Sequence, residues 1–320
     1  MSWRGRELFE SDGWPYELSE PEANALAALA ERTENRDPES ITRAEAKLPA
    51  LADLATRLSH ELEEGAGVVL LRGLPLDARA LWALTLQLGT PVSQSAEGQR
   101  LFPVRDAGYA PGDSRFRGPM SNKRLSFHTD RCDVIAFLCI QPAAEGGDTF
   151  VVSSVALRDE LRRRAPAVLE TLSRPYPYLR HTVDLGNQRP YCELPIFSER
   201  DGFFGAHFLR VLIDRADQSA DAPNLTEEQR AALDTLEALA EDPAMHASFR
   251  MALGDVLLLN NWTTFHRRSE FIDAPEPECK RHLLRVWLSM DNSRPIDPSF
   301  ADHFGATEAG TLRGGMHPLA

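Results

Sequence analysis

The sequence predicts a mainly β fold with accompanying α-helices: a jelly-roll core (a double-stranded β-helix) with helices packed outside it. Two observations carry this. Short apolar runs bounded by turn residues recur along the 320 residues and are joined by segments of uneven length. Helix-period patterns gather at the N-terminus and in two internal insertions instead of alternating with the strands, which argues against a doubly wound parallel sheet. A hydrophobic content of 42% supplies a sizeable core. No repeat, Gly/Ser-rich linker or composition break divides the chain. One domain is expected over 1–320, with a helical part at 1–64, the jelly-roll core with insertions at 65–290, and a tail at 291–320.

The elements follow in order. Residues 20–64 read as helical, from Leu26, Leu29 and Ala30 and from Leu48, Leu51, Leu54, Leu58 and Leu62, with Pro38 separating two helices. Val68-Val69-Leu70-Leu71-Arg72 after Gly65-Ala66-Gly67 reads as a buried strand. Asp77 caps a helix that runs to Leu88 and stops at Gly89-Thr90-Pro91. The pattern is weak over 92–127, and 106–123 reads as a long loop, either a lid or binding segment or a stretch without function. Strands are expected at Val134 to Ile140 and, after the Gly146-Gly147-Asp148 turn, at Thr149 to Val152. Val155 to Leu172 is helical in pattern and broken near Pro166. Phe203-Phe204 and the run Phe208 to Ile213 suggest a hairpin. Thr226 caps a helix to about Ala240, and Val256 to Leu259 and Leu283 to Met290 complete the strands. Beyond Asp291 the Pro and Gly content predicts irregular chain.

A formal net charge of −13 gives no general attraction for nucleic acid or an anionic membrane. No apolar stretch approaches the ~20 residues needed to span a bilayer, and the N-terminus lacks the apolar core of a secretion signal. A cytoplasmic protein acting on a small molecule is expected, and a homo-oligomer is left open. Cys132, Cys139, Cys192 and Cys279 form no C-x-x-C pair, so a structural zinc site is not expected.

The chemistry rests on His128-Thr129-Asp130 read with His266. On a strand, side chains two apart share a face, so His128 and Asp130 point together while Thr129 points away. A second imidazole from a distant strand completes two nitrogens and one carboxylate on a single metal, leaving about three positions open, a set suited to iron(II). Taken alone, the tripeptide also fits a hydrogen-bonded or solvated pair. Downstream lie Gly146-Gly147-Asp148-Thr149, then Asn260-Asn261-Trp262-Thr263-Thr264-Phe265-His266, then Arg281 and Arg285. Residues 281, 283 and 285 share one strand face, and an arginine on the inner face of an apolar strand needs an anion. The other seven histidines show no ligand spacing.

The ordered set HTD, GGDT, GDVLLLNNWTTFH and KRHLLRVWL, spread over about residues 65–290, resembles the taurine dioxygenase-like (TauD/TfdA) family of iron(II)- and 2-oxoglutarate-dependent oxygenases. The resemblance implies that His128, Asp130 and His266 are catalytic and metal-binding, as the three iron ligands. It implies that Thr149 and Arg281 hold the distal carboxylate of 2-oxoglutarate, where a planar guanidinium suits a carboxylate, and that Arg285 binds near cosubstrate or substrate. The implied reaction consumes O2 and 2-oxoglutarate, releases succinate and CO2, and oxidises an unactivated C–H of a small molecule, an amino acid or natural-product intermediate. Hydroxylation is the expected outcome, and Asp130 argues against halogenation, which needs the carboxylate replaced. Arg131, Tyr191, Arg210 and Arg285 are the candidates to reach substrate, although Arg131 equally suits a salt bridge. Two rival readings are a catalytically silent 2-oxoglutarate- or metal-binding jelly roll and a zinc-dependent hydrolase on the same three ligands. The second leaves Thr149 and Arg281 without purpose.

Overall fold

The computed structural model describes residues 2–11, 14–109, 118–180 and 189–317. After a two-residue strand, β1 (Tyr16–Glu17), come α1 (Glu20–Arg32), α2 (Arg43–Ala46), α3 (Ala52–Glu63), β2 (Val68–Arg72) and α4 (Ala78–Leu88). Their starts are set locally. Ser19 and Thr42 form capping boxes with Glu22 and Glu45, Pro38 opens a 3-10 turn between α1 and α2, and the Asp77 carboxylate accepts the Arg79 N–H.

Where the sequence carries little pattern, two short strands appear, β3 (Gly89–Val92) and β4 (Leu101–Val104). Each contains a proline, Pro91 and Pro103, and each pairs on the outer side of the last strand of its sheet. Edge strands tolerate a residue without an N–H, and a proline inside a short run hides it from pattern reading. Next are β5 (Val134–Gln141), β6 (Glu145–Gly146), β7 (Thr149–Ser153), α5 (Ser154–Arg164) and α6 (Pro166–Leu172), the helices dividing at Pro166.

Two hairpins follow: β8 (Tyr176–Leu179) with β9 (Tyr191–Leu194), and β10 (Phe197–Arg200) with β11 (Phe203–Ala206). The expected pairing of 203–204 with 208–213 is therefore corrected. The partner of Phe203 is Arg200, and the later run enters a helix, α7 (Arg210–Asp217), which buries Leu212, Ile213 and Ala216 along one face. That spacing is helical, and burial along it outweighs the strand preference of Val and Ile. The chain ends with α8 (Glu227–Ala240), capped by Thr226, then β12 (His246–Phe249), β13 (Val256–Asn260), β14 (Thr264–Arg268), β15 (Phe271–Ile272), β16 (His282–Met290) and a short α9 (Ala301–Phe304) in the tail.

The larger sheet runs β1-β2-β13-β5-β16-β3, with β4 also on β16, and the smaller runs β12-β7-β14. Val68, Ile135, Leu257, Leu283 and Trp287 of the larger sheet pack with Val151 and Ala247 of the smaller, so the two sheets close over one interior. Alternate residues of the same strands, among them Val69, Leu71, Ala136, Leu258 and Val286, pack outward on α1, α3 and α4. Burial on both faces is why β2 and β13 read as unbroken apolar runs. The outer face of the smaller sheet, at Val152 and Phe265, lies under α5, α6, α8 and the hairpins. This is the jelly roll with flanking helices. None of Cys132, Cys139, Cys192 and Cys279 is in a disulfide.

Candidate active site

His128-Thr129-Asp130 lies outside the regular strands. It is an extended segment held by isolated bridges from His128 to His266 of β14 and to Leu209 just before α7. His128 and His266 exchange both backbone hydrogen bonds at 3.0 Å, which locks two candidate ligands together without a full strand. The Asp130 N–H donates to Asn261 Oδ1, 2.9 Å away, so the Asn260-Asn261 turn sets the third. Thr129 is buried and turns to His207, its hydroxyl 2.9 Å from the Nδ1.

One ligand atom from each of His128, Asp130 and His266 falls within 4.8 Å of the others, and no other group of three or more such residues is found among the described residues. His266 Nε2 is 3.4 Å from Asp130 Oδ2, and the two imidazole centroids are 4.4 Å apart. His128 Nδ1 must be the donor to the Ser126 carbonyl at 2.9 Å, which leaves Nε2 with a free lone pair. Burial, reinforced by the nearby His266, pushes the His128 imidazole down to about 4, so it is neutral at pH 7. Burial works to raise the Asp130 carboxyl, but Arg285 and the two imidazoles outweigh it and hold the group well below the usual carboxylate range. Asp130 Oδ2 is buried with no hydrogen-bond partner among the described residues. A buried carboxylate oxygen without a hydrogen-bond partner, set beside two imidazoles, calls for a further partner, and a divalent cation supplies it. The residues fit iron(II).

The cosubstrate residues meet the same kind of test. Arg281 precedes β16 and is 5% exposed; its guanidinium lies over Phe271, 5.0 Å from the ring centre. Its Nη1 is buried without a hydrogen-bond partner, and no carboxylate lies within ion-pair distance among the described residues. Burial lowers its pKa to about 10, so it stays cationic at neutral pH. Thr149 opens β7 in the same cavity wall, after a turn in which Gly146 and Gly147 have φ of 65° and 72°. A Cβ on Gly147 would stand 3.3 Å from Arg281 Nε. A buried cation with an orphaned N–H beside a hydroxyl matches the distal carboxylate of 2-oxoglutarate.

Arg285 takes a different position. Its Nε donates to Gln94 Oε1 at 2.6 Å, and its Nη1 is 3.6 Å from Asp130 Oδ1. Gln94 escaped sequence reasoning because it lies in the unpatterned stretch after β3.

His128, Asp130, His266, Thr149, Arg281 and Arg285 line one cavity of about 950 Å³. Among the described residues its wall holds nine arginines against two aspartates, in a chain of net charge −13. Of the four candidate substrate contacts, Arg131, Arg210 and Arg285 line it and Tyr191 does not. Arg210 is already held by Asp214, Asp234 and Glu237. His207 and His303, which have no ligand spacing, also line it, whereas His181 lies outside the described residues. The 106–123 segment is described only at its two ends. There Gly118 and Pro119 reach the cavity, and Arg268 of β14 donates to the Ser121 and Lys123 carbonyls.

FR-33289 synthase from Streptomyces rubellomurinus is 29% identical over 323 residues, 94% of this chain and 92% of that protein. A uridine-5'-phosphate dioxygenase from Amycolatopsis sp is 30% identical over 149 residues, 46% of this chain and 52% of that protein. A solved asparagine oxygenase in complex with Fe(II), 2S,3S-3-hydroxyasparagine and succinate shares the fold, with a TM-score of 0.67 at 20% identity over 92% of this chain and 98% of that one. Residues 32–287 match the family described as taurine catabolism dioxygenase TauD, TfdA family. The chain belongs to that family and is a 2-oxoglutarate-dependent non-haem iron dioxygenase.

Proposed function

We propose that His128, Asp130 and His266 hold the iron(II), that Arg281 and Thr149 hold the distal carboxylate of 2-oxoglutarate, and that the chain hydroxylates an unactivated C–H of an anionic small molecule, an amino acid or natural-product intermediate. The observation that carries this reading is the convergence of three ligand atoms within 4.8 Å in the cavity that also exposes Arg281. When bound, the iron and its cosubstrate supply the oxidising power, with O2 consumed and succinate and CO2 released.

The chain's own residues supply position and charge. The Ser126 carbonyl fixes the His128 tautomer so that Nε2 faces the metal position. Arg285 and Gln94 hold the Asp130 side of the site, and keep that carboxylate ionised. Phe137, Leu283 and Trp287 line the same space with apolar surface, which limits water around the reacting C–H. The arginine-rich wall supports an anionic substrate, and the relative named for uridine 5'-phosphate acts on such a molecule. Four cysteines outside any disulfide suit a cytoplasmic location.

Anaerobic addition of iron(II) and 2-oxoglutarate should give a weak visible charge-transfer band. Asp130→Ala should lose both the band and substrate-dependent succinate release. Wild-type turnover by that variant at normal iron content would overturn the ligand assignment. A band in the wild type with no succinate from any anionic compound tested would favour the silent binder.

A further inference from the structure

The first turn of α7 forms part of the cavity wall beside the metal ligands, since Leu209 bridges His128 and Leu209, Arg210 and Val211 all line the cavity. Leu209 gives no side-chain cap, the first turn holds no acidic residue, and the Arg210 and Val211 N–H groups find no acceptor among the described residues. Two unsatisfied N–H donors at the positive end of a helix dipole therefore border the space where substrate binds.

An independent group points to the same place. His207 is 3% exposed and lines the cavity. Thr129 Oγ1 accepts the Phe208 N–H at 3.1 Å and lies 2.9 Å from His207 Nδ1 and 3.4 Å from the Phe208 carbonyl. His207 Nε2 has no hydrogen-bond partner among the described residues, and it is a donor when the Thr129 hydroxyl donates to Nδ1. Burial, with the charge of Arg131 nearby, pushes the imidazole down to about 3, so it is neutral at pH 7. Arg131 and Arg180 are buried in the same wall. Among the described residues the one carboxylate on Arg180, Asp302 at 3.0 Å, is shared with Arg189 at 2.6 Å.

We propose, resting on the oxygenase reading above, that this end of the cavity is a subsite for a phosphorus oxyanion of the substrate, a phosphate monoester or a phosphonate. The Arg210 and Val211 N–H groups and His207 Nε2–H are its donors, with Arg131 and Arg180 balancing its charge. A carboxylate offers two coplanar oxygens and one charge. A phosphorus oxyanion offers three oxygens and between one and two negative charges at neutral pH, and so matches donors from a helix end and a side chain together with two cations. The Leu209–His128 bridge ties the subsite to the metal ligands, so a small molecule anchored there holds its neighbouring carbons near the iron position.

The test is calorimetric titration of the full chain loaded anaerobically with iron(II) and 2-oxoglutarate, so that Arg281 is occupied. The probes are methylphosphonate, methyl phosphate, methanesulfonate and acetate. One or both phosphorus probes should bind at one per chain, at least about tenfold tighter than either monoanion, and the tighter of the two identifies the linkage. Val211→Asp, at a half-exposed position, should weaken that binding at least about tenfold without lowering Tm, because an acidic residue suits a helix start, while Val211→Asn should retain it. His207→Phe should weaken it about tenfold, and His207→Gln, which keeps a neutral donor, should recover part of the loss. Equal binding of acetate, or undiminished phosphorus binding by both Val211→Asp and His207→Phe, would overturn the proposal. If the visible band forms and no phosphorus probe binds, the subsite alone fails; if the band itself is absent, the oxygenase reading has failed.

Discussion

At the scale of single residues, the site holds several buried polar atoms without a hydrogen-bond partner among the described residues. Arg281 is the clearest case: a buried guanidinium with an orphaned N–H and no carboxylate at ion-pair distance among the described residues. Arg281→Ala should raise the 2-oxoglutarate concentration needed for half-maximal band formation by about ten- to a hundredfold, from the loss of a charged hydrogen-bonded pair. Arg281→Lys should recover only part of it, because an ammonium cannot present the planar fork. An unchanged titration in Arg281→Ala would remove this residue from the cosubstrate site. His207 supports a pH prediction. Its folded-state pKa of about 3 lies below the ordinary histidine value, so the unfolded chain takes up the proton first. The contribution is complete above pH ~6.5 and is lost as pH falls toward 3, at up to ~1.4 kcal/mol per pH unit. Urea unfolding at pH 7 and pH 5 should show a smaller acid loss in His207→Gln than in wild type. His128, Asp130, His266, Thr149 and Arg281 were legible as candidates from their order and spacing in the sequence, and all five line one cavity. Gln94 and His207 were not, since their roles arise only where distant segments meet.

At the scale of elements, turns decide where those residues point. Gly146 has φ 65°, and a Cβ there would collide with the Glu270 carbonyl oxygen across the β6–β15 pair. Gly146→Ala should lower stability by at least ~2 kcal/mol and loosen 2-oxoglutarate binding, because the turn leads directly into Thr149 and packs near Arg281. Thermal unfolding with a band titration checks both, and a variant unchanged in each would remove the turn from the account. Thr226→Ala, at a cap remote from the iron ligands, should cost about 1 kcal/mol and leave the band titration unchanged. Element legibility followed the same physics. Helices with caps and strands buried on both faces were clear. The prolines of β3 and β4 concealed two edge strands. The α7 run was read by its β-branched residues, although Leu209, Leu212, Ile213 and Ala216 carry a helical period.

At the scale of the molecule, an acidic body encloses a basic cavity. Among the described residues nine arginines and two aspartates line the cavity of a chain with net charge −13, which concentrates positive charge there. Binding of an anionic substrate should therefore weaken as ionic strength rises, while the helices and sheets that form the wall keep their stability. The sheet order could not be read from composition or periodicity, since it depends on pairings such as β2 with β13, almost 190 residues apart along the chain. It is this topology that brings His266 to His128. The most direct test of the central claim is an iron-edge anomalous diffraction map from crystals prepared anaerobically with iron(II) and 2-oxoglutarate. One strong peak should appear within bonding distance of His128, Asp130 and His266, with the distal carboxylate of the cosubstrate at Arg281. Iron bound elsewhere, or His266 turned away from the other two residues, would contradict the account.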